Sequence, residues 1–339
     1  MKKTETKIFS TLAIPDELAA DLQTLGNLEM WTEDVPMPNE QLTIQLKDCQ
    51  ALLCSGSNRI TAEMMSVCPK LKVIANVSVG YDNIDIDAAT KAGILVTNTP
   101  GVLDNATADM AFALLLAVAR RLVEADQYVR SGQWQGFHPS LMLGHEITGK
   151  VLGIVGMGRI GEAMARRARG FGMEVIYTRR GGQEKDERLN EQYSARRVSL
   201  GELLKNSDFI SLHCPLSPTT KHLIGRVEFS QMKKSAILIN TSRGAVINEA
   251  EMVTAIAEKM IAGAGLDVFE FEPEVNAQLL TFANVVLAPH IASATSDTRF
   301  AMKKMAIKNL VEALNGGAPP NPVNYRKETT ETTPVPTAS

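Results

Sequence analysis

Cysteine is scarce in this chain, and what there is lies scattered. Cys49, Cys54, Cys68 and Cys214 form no CxxC pair and no metal-ligand spacing. That excludes a disulfide framework and a metal site and reads as reduced thiols. Long apolar runs are missing too. The stretch "MAFALLLAVA" at 110–119 falls short of the roughly 18 residues a membrane span needs, and it reads as a buried helix. No basic block is present and the formal net charge is only −3, which argues against nucleic acid as a partner. The opening "MKKTETK" is followed by no apolar core, so a cytoplasmic location is expected.

What is present is alternation. Hydrophobic residues make up 45% and charged residues 22%, a globular balance, and 339 residues suffice for two domains with separate cores. Strand-like runs such as "ALLCSG", "LKVIANVSVG" and "GILVTNTP" are separated by helical patterns such as "DELAADLQTLG". Near residue 100, Pro, Gly and Asp open one long helix that is apolar on most faces. From 150 to 289 six strand runs follow, "VLGIVG", "MEVIYT", "DFISLHC", "SAILINTS", "GAGLDVF" and "NVVLAP", each with a helix after it. This is the α/β pattern of parallel sheets, and the count suits a complete Rossmann domain. A last helix is expected from Ser296 to about Asn315, and the Thr/Pro-rich tail at 326–339 is expected to be disordered.

Gly156, Gly158 and Gly161 match GxGxxG between a strand and a helix, with Arg159 and Ile160 in the same loop. The first glycine allows the turn, the second admits a pyrophosphate, and the third lets helix pack on strand. The acidic residue that usually meets the ribose at the end of the next strand is missing. Thr178, Arg179 and Arg180 stand there, and Glu174 lies at the wrong end of that strand. Two guanidiniums favour a 2′-phosphate, so NADP(H) is the preferred cofactor and NAD(H) the alternative; solvated surface arginines are the competing reading.

Three further strand ends carry reactive groups: Arg243 in "NTSRG", Asp267 and Glu272 in "DVFEFEP", and His290 in "PHIAS". Singly each has a plain structural explanation, as a surface arginine, a solvated acid or a loop histidine. Together, at the sheet edge where α/β folds bind ligands, they suit reduction of a 2-keto acid. An arginine can hold the carboxylate and polarise the carbonyl, and an imidazole beside a carboxylate can donate the proton.

With "SVGYDNIDIDAATKAGILVTNTPGVL", "TADMAFALLL", "GMGRIG" and "HCPL" added, the chain resembles the D-2-hydroxyacid dehydrogenase family over nearly all of residues 8–325, and within it the glyoxylate/hydroxypyruvate reductases. The resemblance implies a Rossmann domain at 101–290 and a smaller flavodoxin-like α/β substrate domain from 1–100 and 291–325, with a cleft between them and a homodimer. It implies Arg243, Glu272 and His290 as the catalytic trio. Val79 and Gly80 would clamp the substrate carboxylate, with Asn76 as a further candidate. Thr107, Cys214, Thr241, Ser242, Asp267 and Ala292 would line the cofactor, Asp267 accepting from the carboxamide. Cys214 has no evident base and reads as pocket wall. Trp134 resembles a segment that reaches across the dimer, Phe137 stands where relatives often carry Trp, and His138 and His145 read as structural. The expected substrates are glyoxylate and hydroxypyruvate, giving glycolate and D-glycerate. A 2-ketogluconate reductase is the nearest rival. A phosphite dehydrogenase is disfavoured by Ser78 and Val79, and a dinucleotide-sensing co-repressor by the arginine pair.

Overall fold

The computed structural model describes residues 6–182 and 184–324, so the tail expected at 326–339 lies outside it. The chain divides into two compact units, one running to Pro100 and resuming at Phe300, the other spanning Gly101–Arg299.

The first unit holds strands β1 (Thr6–Ser10), β2 (Gly26–Met30), β3 (Ala51–Cys54), β4 (Val73–Asn76) and β5 (Leu95–Thr97). They pair in parallel in the order β2-β1-β3-β4-β5, the flavodoxin-like order. Helices α1 (Asp16–Gln23), α2 (Asn39–Leu46), α3 (Ala62–Ser66) and α4 (Ile86–Lys91) connect them. Two of these start on side-chain caps, Thr61 accepting from the Met64 amide and Asp85 from that of Ala88. β3 and β4 are buried along their whole length, which is why they read as unbroken apolar runs. β1 and β2 were less legible, because β2 is an edge strand with no fully buried residue.

In the second unit the expected long helix is two. α5 (Asp104–Ala119) ends before Arg121, whose backbone is left-handed (φ 53°), and α6 (Leu122–Arg130) begins a new direction. A left-handed non-glycine cannot continue an α-helix. α5 is buried on most sides, whereas α6 has no buried residue at all.

The second sheet comprises β6 (Val151–Val155), β7 (Glu174–Thr178), β8 (Ala195–Arg197), β9 (Phe209–Leu212), β10 (Ile237–Asn240), β11 (Gly263–Leu266) and β12 (Val285–Leu287). Its order is β12-β11-β10-β9-β6-β7-β8, all parallel, the doubly wound Rossmann arrangement with one strand more than the six runs foreseen. The addition, β8, is three residues reading Ala-Arg-Arg and carries no apolar signal. Helices α7 (Arg159–Gly170), α8 (Asp186–Tyr193), α9 (Leu200–Asn206), α10 (Arg226–Gln231) and α11 (Glu249–Ala257) follow successive strands, and α12 (Ser296–Leu314), most of which belongs to the first unit, is the last helix described. Side chains alternate between two cores. Phe209, Ile237 and Ile239 join the face that packs on α5 and α7, while Ile210, Leu212 and Leu238 join the opposite one. Among the described residues no helix is long and apolar enough to cross a membrane.

Phe209 is 2% exposed and one of the largest fully buried side chains. Phe209→Ala is expected to cost about 3–5 kcal/mol and lower the melting midpoint by roughly 10 °C. Scanning calorimetry checks this, and an unchanged midpoint would mean the sheet core is not where the stability resides.

Candidate active site

The reactive groups of the second unit sit just past the C-terminal ends of adjacent strands. After β10, the buried Asn240 side chain shapes the turn that presents Arg243. Its Oδ1 accepts from the Ser242 amide at 3.0 Å and hydroxyl at 2.8 Å, and its Nδ2 donates to the Arg243 carbonyl at 2.9 Å. Gly244 then lies so close to the 269–270 backbone that a Cβ would fall 1.8 Å from the Phe269 carbonyl carbon. No larger residue fits there.

After β11, Glu272 curls back on its own turn. Oε1 accepts from the Phe269 amide at 3.0 Å, and Oε2 accepts from His290 Nδ1 at 2.8 Å. Burial raises the Glu272 carboxyl, but the His290 ring, the Phe269 amide and the Arg243 charge outweigh it, and the net position is below the ordinary range. A carboxylate can only accept, so the contact puts a proton on Nδ1 and turns Nε2 outward. His290 itself is left-handed (φ 55°), a strain of about 1–3 kcal/mol for a ring-bearing residue.

Asp267 holds that strain. It is fully buried, and its two carboxylate oxygens accept from the Ile291 and Ala292 amides, each at 2.8 Å, while its carbonyl accepts from the His290 amide at 2.8 Å. Burial raises its carboxyl above the ordinary range, and the two amides pull it part of the way back. The expected donor to Asp267 was a cofactor carboxamide; the donors within the chain are these two amides.

The Gly-rich loop separates three jobs. Gly156 has φ 102°, and a Cβ on it would strike the Cys214 amide at 2.6 Å. A Cβ on Gly161 would fall 2.3 Å from the Gly156 carbonyl oxygen, so α7 crosses directly over the turn. A Cβ on Gly158 meets nothing within 4 Å, which leaves open space before the helix N-terminus and its Arg159 and Ile160 amides.

At the end of β7 the arginines differ from the simple expectation. Arg179 is tied inward, bonded to Asp186 at 3.1 Å and to the Gly182 carbonyl at 2.5 Å. Arg197, from the unforeseen β8, bonds the other Asp186 oxygen at 3.2 Å and the Arg179 and Gly181 carbonyls at 3.0 Å each. Tyr177 donates to Asp186 at 2.8 Å. Arg180 is exposed, with a 3.5 Å contact to Ser217. Thus Arg179 frames the turn and Arg180 is the one presented.

In the first unit Asn76 is completely buried and offers nothing to a ligand directly. Its Nδ2 donates to the Gly80 carbonyl at 2.8 Å, and Asn98 donates to the Val79 carbonyl at 2.9 Å. Among the described residues neither the Val79 nor the Gly80 amide donates a hydrogen bond. Trp134 and Phe137 are exposed, Phe137 at 89%, in an irregular segment after α6. His138 bonds Ser140, and the His145 amide donates to the Ala119 carbonyl. No group of three His, Cys, Asp or Glu among the described residues is placed to hold a metal.

The family model for the NAD-binding domain of D-isomer specific 2-hydroxyacid dehydrogenases matches residues 112–292. A glyoxylate reductase of Thermococcus litoralis is 50% identical over 322 residues, covering 94% of this chain and 96% of that protein. The chain belongs to the D-isomer-specific 2-hydroxyacid dehydrogenase family. A crystal structure of a Thermus thermophilus protein superposes with a TM-score of 0.87 at 42% identity, covering 94% of this chain and all of that one. An NADPH-dependent glyoxylate/hydroxypyruvate reductase of Sinorhizobium meliloti, solved with NADP and malonate, superposes at 0.83 with 32% identity, over 94% and 97% of the two chains.

This dehydrogenase is therefore an NAD(P)-dependent oxidoreductase, and the residues of its second unit fit a nicotinamide dinucleotide. Beyond the open space at Gly158, two buried polar atoms at neighbouring strand ends have no partner among the described residues, His213 Nδ1 and Thr241 Oγ1. Burial holds the His213 imidazole down to about 4, so the ring is neutral, with Nε2 on Ser211 Oγ at 2.9 Å. His213 carried no expectation, although it stands beside Cys214 in "HCPL". Burial pushes the Cys214 thiol up to about 11, which makes it inert wall. Thr107 is buried near the start of α5.

Asp267→Asn replaces one acceptor by an NH2 facing an amide N–H. It is expected to cost about 1–3 kcal/mol and lower the melting midpoint by several degrees, with a larger proportional loss of turnover. Calorimetry and initial rates measure the two, and an unchanged turnover would show that the 290–292 backbone is held by something else.

Proposed function

We propose that this enzyme reduces small, unphosphorylated 2-keto acids, glyoxylate and hydroxypyruvate first, to glycolate and D-glycerate, with NADPH preferred. The observation that carries the reaction type is the 2.8 Å Glu272–His290 pair on the same sheet edge as Arg243. Support for the substrate comes from the Thermococcus litoralis relative, which bears the name glyoxylate reductase.

The chemistry follows from charge. The Arg243 guanidinium holds the keto-acid carboxylate and polarises the carbonyl oxygen, where negative charge grows as the carbonyl carbon is reduced. The reduced nicotinamide, when bound, supplies the hydride. His290 Nε2 gives its proton to the developing alkoxide, and Glu272 stabilises the imidazolium before that transfer and keeps Nδ1 protonated after it. A proton from water restores His290. In the first unit the unengaged Val79 and Gly80 amides, with their carbonyls pinned by Asn76 and Asn98, are suited to a carboxylate. Support for NADPH is the exposed Arg180 beside Thr178, on a turn that Asp186 and Arg197 hold in shape.

Initial rates with NADPH and NADH against glyoxylate, hydroxypyruvate, pyruvate and 2-ketogluconate test both parts. Arg180→Asp is expected to shift the NADPH/NADH ratio of kcat/KM toward NADH by about 10–100-fold, the equivalent of a lost charge-assisted contact. An unchanged ratio removes Arg180 from the site, and no turnover with any acid overturns the activity.

The same reading includes a homodimer. α6 and the segment after it expose Leu122, Val129, Trp134, Phe137 and Leu143, an apolar surface unusual for a lone chain. Light scattering is expected to give about twice the 36.8 kDa chain mass, and Leu122→Asp with Val129→Asp to halve it. A monomeric wild type refutes the dimer.

A further inference from the structure

Near the Arg243 and Glu272 turns of the second unit lies a carboxylate pair that the mechanism does not use. Glu249 opens α11 and Glu270 precedes Glu272 by two residues. Each side chain accepts from the other's backbone amide, Glu270 Oε2 from Glu249 N at 3.1 Å and Glu249 Oε2 from Glu270 N at 3.0 Å. Glu249 Oε1 also accepts from the Asn276 amide at 3.2 Å, which closes the far end of the same loop. The remaining Glu270 oxygen accepts from His222 Nε2 at 2.6 Å, and the His222 amide donates to the Ala245 carbonyl, two residues beyond Arg243. Both acids are nearly buried.

Burying two carboxylates costs desolvation, and a hydrophobic pair would close the loop without that cost. The arrangement does something an apolar contact cannot, because each bond is directional. Glu270 lies between the turn that carries Arg243, which touches it through Gly244, and the turn that carries Glu272. We infer that Glu270, held by Glu249 and His222, is a positioning residue for hydride reduction, fixing Glu272 and thereby His290 relative to Arg243. The inference rests on the proposed activity for its kinetic readout, but not for its spectroscopic one.

Two variants separate positioning from folding. Glu270→Gln keeps the shape and loses one of two acceptors. His222→Asn keeps the left-handed backbone (φ 51°), which Asn tolerates well, and is too short to reach Glu270. In the full-length enzyme, kcat with glyoxylate is expected to fall about 10–100-fold in Glu270→Gln and less in His222→Asn, since small misplacements of reacting groups act on this scale. The NADPH dissociation constant, read from cofactor fluorescence, should stay within about twofold, and the His222→Asn melting midpoint within a few degrees. Nitrogen-15 spectra of histidine-labelled protein should show His290 losing its single Nδ1–H form in Glu270→Gln. Wild-type kcat in both variants overturns the inference, as does a kcat loss matched by an equal loss of folded protein or NADPH binding. If the wild type turns over none of the 2-keto acids, the proposed substrate falls, and the histidine spectrum still decides: an unchanged His290 tautomer overturns the positioning role.

Discussion

A carboxylate removed from water is an expensive object, and in this enzyme one of them, Asp267, organises the chemistry around it. Its two oxygens face two amides of the segment that follows His290, and its own carbonyl takes the His290 amide. The segment therefore has little freedom, and His290 stays in a left-handed conformation that a free loop would abandon. In the proposed mechanism the imidazole reaches Glu272 with one nitrogen and substrate with the other, so its direction matters as much as its identity. Burial that raises the Asp267 carboxyl is tolerated because the alternative is two unpaired buried amides.

The same economy of backbone contacts recurs at strand ends within each unit. Asn240 shapes the Arg243 turn, Asn76 and Asn98 hold the carbonyls of the Val79–Gly80 loop, and Glu249 and Glu270 hold each other's amides. In each case a buried or part-buried side chain binds backbone near one of these groups and fixes the turn that carries it. Parallel sheets make this arrangement natural, since every strand ends at the same edge and each following loop begins there.

Much of this was legible in the residues. The Gly-rich loop could be read because its glycines answer simple requirements, a left-handed turn at Gly156, open space at Gly158 and a close helix crossing at Gly161. Arg243, Glu272 and His290 stood out as candidates because strand ends are visible as apolar runs that stop. β8 could not, because three residues with two arginines have no periodicity to read. The break between α5 and α6 was hidden as well. Arg120 and Arg121 are ordinary helix formers, and nothing local announces a left-handed residue. Arg179 and Arg180 looked equivalent side by side. Only the return of Asp186 from the next helix, with Arg197 beside it, turns one inward and leaves the other exposed.

The order of residues by itself determined the parallel α/β class, the dinucleotide loop and the family, because these rest on periodicity and on motifs a few residues long. Tertiary structure alone decided which polar groups are free to act. Whether a carboxylate, an arginine or an asparagine faces a ligand depends on partners that folding brings to it, as Asp267 shows with the Ile291 and Ala292 amides. Burial and hydrogen-bond satisfaction are properties of the assembled chain, and no local pattern encodes them.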